Sequence, residues 1–269
     1  MLTLTALENF PLIRQDNHLA DIILNSLQRN KIELEDNDIL VVAQKIVSKA
    51  EGRMVDLTTV TPSHRAIELA KKTEKDARLI ELILQESSEV LRARPGTIIV
   101  EHRLGIVCAN AGIDHSNVSP TISKGRVPER VEGLGVRKTA KEWVLLLPQD
   151  PDLSSRRMRE KIVSKTGKRI GVLIIDSHGR AWRNGTVGMA IGMSGLPALQ
   201  DLRGRPDLFG STLRITQVGV ADELAAAASL VMGQAAEGTP VVHVRGFPYP
   251  LREGSLKELI RSKEQDMFR

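Results

Sequence analysis

Cysteine occurs once in this chain, and aromatic residues make up only 3% of it. A lone Cys108 leaves no partner for an internal disulfide and no thiolate pair for a zinc site. Inside the apolar stretch 105–111 it reads as a small core residue, because apolar surroundings suppress the thiolate that a nucleophile needs. Scarce aromatics also remove the stacking platforms that hold single-stranded nucleic acids, and no zinc-finger or RNA-binding signature is present. A formal charge of +5 and a pI near 9.4 would suit nucleic acid, but a basic surface for anionic small molecules fits this composition better. No apolar run approaches the ~20 residues of a membrane span. The N-terminus carries acidic Glu8 and no basic leader, so a cytoplasmic protein without membrane contact is expected.

Two phosphate-binding motifs are missing as well. Thr166-Gly-Lys-Arg169 lacks the hydroxyl and the upstream glycine of a P-loop, and there is no Gly-x-Gly-x-x-Gly. His-x-x-x-His and Cys-x-x-Cys spacings are absent, which turns attention from zinc to hard cations on oxygen ligands.

What is there reads as one integrated unit of 269 residues with mixed helices and strands. Asp38–Ala43 is a β-branched apolar run of the length of a buried strand. Pro62 opens an amphipathic segment in which apolar residues from Ile67 to Val90 recur at helical spacing. Thr97–Glu101 and Leu104–Ala109 read as short strands about an exposed turn at His102 and Arg103, followed by the loop 110–117. Residues 119–143 are irregular and basic and read as an inserted surface loop. Val144–Leu147 is a strand, and Asp150-Pro-Asp152 starts a helix through about Lys165. Arg169–Ile175 reads as a buried strand ending in a loop at Asp176–Arg180. After a glycine-rich stretch, Leu213–Val220 alternates as a strand, Leu224–Gly233 is an alanine-rich helix and Pro240–Val244 a last strand. Without regular βαβ spacing, the expected class is α+β, with mixed, largely antiparallel sheets and packed helices.

Several residues could carry chemistry, each with a plainer reading beside it. Asp114 and Asp176 follow apolar strands, with Asn117 and Ser177 close behind; the set suits magnesium or manganese, or caps turns through its own backbone. Gln234, near a helix C-terminus, faces the dipole end that favours a cation, or is simply solvated. Lys49 is a compact charge for a phosphate, or a surface lysine. His178 is a general base, or an exposed loop histidine. The glycines of 185–195 admit a ligand's close approach, or make turns.

Taken in order, the segments Val41–Gly52, Asn110–Val118, Leu146–Asp152, Asp176–Arg183, Gly188–Gly192, Asp201–Gly204, Asp207–Gly210, Ala221–Ala228 and Val231–Gln234 resemble the coenzyme F420-0:L-glutamate ligase family, the gamma-glutamyl ligases of a deazaflavin cofactor. The resemblance implies a homodimer of two intertwined subdomains per chain. Its implied activity is a GTP-dependent ligase that uses two divalent ions, Mg2+ or Mn2+, with K+, to join L-glutamate to the terminal carboxylate of the F420-0 precursor. Carried over residue by residue, it makes Asp114, Asp176, Ser177 and Gln234 metal ligands. It makes Pro11, Leu12, Ile13, Gln44, Lys45, Lys49, Asn117 and the loop Met232, Gly233, Gln234, Ala235, Ala236, Glu237, Gly238 and Thr239 nucleotide contacts. Asp114, Asp176 and Lys49 would be the catalytic residues, and Arg180, Arg183 and Arg203 are candidates for an acidic glutamate tail. Two departures stand out: His178 replaces a usual aromatic, and the basic stretch 119–143 replaces a few residues. Some relatives continue into a flavin-dependent reductase domain, and without one the expectation is ligase chemistry alone. The rival reading is a non-catalytic nucleotide-binding regulator.

Overall fold

The computed structural model describes residues 1–118 and 143–267. Along the chain run β1 (Thr3–Ala6), α1 (Leu19–Arg29), β2 (Ile39–Ala43), α2 (Gln44–Ala50), β3 (Met54–Asp56), α3 (His64–Thr73), α4 (Ala77–Gln85), β4 (Ser87–Arg94), β5 (Thr97–His102), β6 (Val107–Ala109) and β7 (Trp143–Leu145). They continue with α5 (Pro151–Thr166), β8 (Gly171–Arg180), β9 (Arg183–Ser194), β10 (Gln200–Asp201), β11 (Gln217–Val218), α6 (Val220–Met232) and β12 (Val241–Arg245). These belong to two compact units: Met1–Gly52 with Pro148–Arg269, and Arg53–Leu147. The sheets are mostly antiparallel and helices pack on them, as the α+β expectation requires. The basic stretch 119–143 falls, except for Trp143 at the start of β7, outside the described residues.

The first unit is built on a five-stranded sheet of order β1-β12-β2-β8-β9. Ile39, Leu40, Val41 and Val42 of β2 are all fully buried, the pattern of a central strand covered on both faces. Successive side chains of β8 point to opposite faces. Leu173 and Ile175 join the core under α6, with Ala221, Leu224, Ala225 and Ala228. Val172 and Ile174 therefore face the other side, where α5 packs on β8 and β9.

Two glycines set how closely the helices approach. A Cβ on Gly188 would lie 2.5 Å from the Ala225 carbonyl oxygen, and one on Gly192 would lie 2.4 Å from the carbonyl carbon of Pro151. These glycines belong to the stretch that reads from sequence as turns or a ligand approach. In the structure it forms most of the 12-residue strand β9, and the missing side chains make room for α6 on one face and α5 on the other.

Other elements also differ from the sequence reading. β8 runs on through Arg180, so Asp176–Arg180 is paired strand and not a loop. The alternating run 213–220 yields only the two-residue β11, with Ile215 exposed, because no sheet face lies under it. Val90 lies in β4, past the end of α4 at Gln85.

In the second unit α3 and α4 pack Ala66, Ala70, Leu79, Ile80, Leu82 and Ile83 against Ile98 and Val100 of β5 and Val144 of β7. Ser63 and Asp76 cap the two helices by accepting from the Ala66 and Arg78 N–H groups. Cys108 is buried in β6. His102, expected in an exposed turn, is 2% exposed at the end of β5.

Candidate functional site

The parallel pair β2 and β8 fixes where the candidate residues of the first unit meet. Their register runs from Ile39 beside Gly171 to Ala43 beside Ile175, so both strands reach the same end of the sheet together. Gln44 follows Ala43 directly, and Asp176 follows Ile175. Beyond the carboxyl ends of parallel strands is where sheets of this kind leave room for ligands.

Neighbouring strands deliver the rest. The Ala43 N–H donates to the Pro240 carbonyl at 2.9 Å, which brings the 233–239 loop to this end of β2. The Leu7 N–H donates to the Val241 carbonyl at 2.9 Å, so the chain also leaves β1 here on its way to Pro11, Leu12 and Ile13. Asp16 then ties that segment to α2 through its N–H on the Ala50 carbonyl.

Within α2, Gln44 is buried and its Oε1 accepts from Ser48 Oγ at 2.9 Å. Lys45 and Lys49, half-buried and four residues apart, share one helix face. On β8, Asp176 and His178 share a face, with Asp176 Oδ2 2.9 Å from His178 Nε2. That is an ion-pair distance without hydrogen-bond alignment, since Nε2 has no hydrogen-bond partner. His178 is 6% exposed, which corrects its reading as a loop histidine and withdraws it from solvent as a general base.

Ser177 points to the opposite face, and its Oγ donates to Gln234 Oε1 at 2.6 Å. The helix makes this contact possible: Gly188, paired with Ser177, donates its N–H to Ser229 Oγ of α6, and Gln234 lies just past the helix end. Among the described residues no three His, Cys, Asp or Glu side chains are grouped so that they could hold a metal ion. A cation on this chain would thus draw on hydroxyl and amide oxygens as well as carboxylate; Ser177 and Gln234, in contact, could offer the first two to a hard ion, while Asp176, next along β8, faces the other side with His178.

One residue that reads from sequence only as a helix start belongs to this neighbourhood. Asp222, in the first turn of α6, accepts from the Ala190 N–H at 2.9 Å. Burial pushes its carboxyl above the usual range, against the Ala190 N–H and the charge of His178, which lower it. Its position before an alanine-rich run carried the capping signal and hid this contact.

The remaining candidates belong to other segments of the chain. Asp114 is in the second unit, where its N–H and carbonyl exchange hydrogen bonds with Leu145, each at 2.9 Å. Asn110, Ala111 and Gly112, with φ of 53°, 53° and 65°, turn the chain into that bridge. Asn117, also at positive φ, is exposed in the same unit. Arg203 is engaged by Asp201, whose carboxyl its guanidinium pulls down to about 2. Arg180 donates to the Asn184 carbonyl, and Arg183 is exposed. No helix among the described residues is long and apolar enough to cross a membrane.

Comparison with known proteins bears on the chain as a whole. A family model described as F420-0:Gamma-glutamyl ligase matches residues 8–246. A coenzyme F420:L-glutamate ligase of Methanococcus maripaludis strain C6 is 45% identical over 261 residues, covering 96% of this chain and 94% of its own length. A protein of the same name from Methanothermobacter thermautotrophicus is 43% identical over 270 residues, covering 100% of this chain and 99% of the relative. One from Methanocaldococcus jannaschii is 45% identical over 236 residues, with 88% and 86% covered. The match spans both units and every segment that carries the candidate site, and this chain belongs to the F420-0:gamma-glutamyl ligase family.

Proposed function

We propose that the protein joins L-glutamate to the terminal carboxylate of coenzyme F420-0 or its dehydro form, a step of F420 biosynthesis, at the expense of GTP. The name shared by its relatives supports the reaction. The observation that carries the site is the convergence of Gln44, Lys45, Asp176, Ser177, Gln234 and Thr239 at one end of the first unit's sheet.

In this reading, the acceptor carboxylate oxygen attacks the γ-phosphorus of GTP, the bond to the GDP oxygen breaks, and an acyl phosphate forms. The glutamate α-amino nitrogen then attacks the acyl carbon, the carbon–nitrogen bond forms, phosphate leaves, and the amine's proton passes to solvent. The detour is needed because a carboxylate's own oxygen is too basic to leave. Lys45 and Lys49 present two positive charges from one helix face toward phosphate oxygens. Asp176, Ser177 and Gln234 would hold magnesium or manganese, with Asp114 of the second unit proposed as a ligand on the resemblance alone. A divalent ion held there would withdraw charge from phosphate oxygens. Potassium, further γ-linked glutamates and a homodimer complete the proposal. The dimer draws support from Leu208, Phe209 and Ile215, each about nine-tenths exposed between β10 and β11.

The test is mass spectrometry of the deazaflavin precursor incubated with the protein, glutamate, GTP, manganese and potassium, with and without GTP. A GTP-dependent gain of glutamyl units is expected from the parent protein. Asp176→Asn and Asp114→Asn should each reduce it at least ~100-fold while keeping the melting temperature. No gain with either precursor form would favour the non-catalytic nucleotide-binding regulator.

A further inference from the structure

β2 stops pairing with β8 at Ile175, and from Asp176 onward β8 and β9 continue as a hairpin of two strands. The chain turns at the hairpin tip through Ala181 and Trp182, between the paired residues Arg180 and Arg183. Three features of this tip work against stability. Trp182 has φ 63°, a left-handed backbone that a bulky side chain adopts only at a cost. The same residue is 89% exposed. Arg180 and Arg183 are cross-strand partners, and like charges placed opposite each other destabilise a strand pair.

Nothing within the first unit relieves that repulsion. Arg180 donates to the Asn184 carbonyl at 3.2 Å, but its Nε has no hydrogen-bond partner. Arg183 is exposed and has no ion-pair partner among the described residues. Local choices that oppose the fold gather where a site has been built. This tip is also continuous with the candidate site. Side chains alternate along β8, so Arg180 shares a strand face with Asp176 and His178. Four residues of strand set the Arg180 backbone about 13 Å from that of Asp176.

We propose that the hairpin tip is the seat of the acceptor's far end: Trp182 stacks on the deazaflavin ring of F420-0, and Arg180 and Arg183 take its phosphodiester. The proposal rests on the ligase reading given above. F420-0 has a planar ring at one end, its reacting carboxylate at the other, and a ribityl chain and a phosphodiester between them. About ten bonds join ring to carboxylate, and at about 1.2 Å per bond of extended chain they span about 12 Å. With the carboxylate at Asp176, the ring therefore comes level with the tip. An offset-stacked ring covers the exposed indole, and an anion between the two guanidiniums replaces their repulsion with charge-assisted hydrogen bonds.

The experiment titrates F420-0 into the parent protein, Trp182→Gly, Trp182→Phe and Arg183→Ala, read by polarisation of the deazaflavin's own emission. KM for F420-0 and for GTP, melting temperature and sedimentation are measured on the same four proteins. Loss of a ring stacked on one aromatic side chain weakens binding about 10- to 100-fold. Trp182→Gly should bind F420-0 that much more weakly and raise its KM to match. Its GTP KM and melting temperature should stay at the parent's values, because glycine adopts the left-handed turn without strain. Trp182→Phe should recover most of the lost affinity, and Arg183→Ala should weaken F420-0 about tenfold. Parent-like F420-0 affinity in Trp182→Gly overturns the proposal and leaves the ligase reading standing. A changed particle mass in Trp182→Gly overturns it too, by assigning the indole to an interface between copies of the chain. F420-0 that none of the four proteins binds or extends with glutamate overturns the ligase reading and the proposal with it.

Discussion

Replacing Glu86 with glutamine measures how far the second unit depends on one buried carboxylate. Glu86 caps the end of α4 and is 6% exposed. Its Oε2 and Oε1 accept from Arg53 and Arg103, each at 2.7 Å, and His102 Nε2 stands 3.6 Å from Oε2, too far for a hydrogen bond. Burial pushes the carboxyl up, but His102, Arg103 and Arg53 outweigh it and bring it down from 4.5 to about 2. At about 1.4 kcal/mol per pKa unit this depression corresponds to roughly 3 kcal/mol. Arg103 is half exposed and screened by solvent, and His102 is beyond hydrogen-bond reach, so about 2 kcal/mol is the expected loss at neutral pH. The folded group is more acidic than the unfolded one. Its stabilisation is therefore complete above the unfolded value and is lost as pH falls toward the folded one, with about half remaining near pH 3. Urea unfolding at pH 7, 4.5 and 3, with hydrogen exchange followed in peptides from α4 and β5, reads the difference between parent and variant. An equally stable variant at pH 7, or a deficit at pH 3 as large as at pH 7, would refute the reasoning.

Two further substitutions probe the first unit. Asp38, 1% exposed, keeps a depressed pKa in spite of its burial because Arg245 and His243 hydrogen-bond to it. Asp38→Asn should cost about 1–3 kcal/mol at pH 7, and the deficit in urea titrations should shrink as pH falls below the unfolded carboxyl's ~3.9. Gly188→Ala should drive a methyl into the α6 backbone and lower stability by about 1–3 kcal/mol, a fall of roughly 2–12 °C in melting temperature by scanning calorimetry. An unchanged melting temperature would contradict the close approach of α6 to β9.

Legibility in the sequence followed how local each signal is. β2 was readable because Ile39–Val42 are apolar on both faces, and α5 because Asp150 and Pro151 start it. β9 was not, since Gly188 and Gly192 look like turn residues until the helices that need their missing side chains are in place. The far half of β8 was missed for a related reason: Asp176 and His178 break its apolar run, and only pairing with β9 keeps it extended. The Ser177–Gln234 contact spans 57 residues and depends on where α6 ends. Family resemblance named both residues, whereas spacing alone left them as a turn hydroxyl and a surface amide.

The insertion of residues 53–147 within the first unit has a consequence for synthesis. β1 precedes its neighbour β12 by most of the described elements, and β2 gains its parallel partner β8 and its antiparallel partner β12 only after all of the second unit has been made. At ~5–20 residues per second, the roughly 130 residues between β2 and β8 keep β2 without either neighbour for about 6–25 s. Throughout that interval the apolar run Ile39-Leu-Val-Val42 has neither of its sheet partners, and an apolar strand left unpaired is a template for pairing with other chains until the return strands arrive.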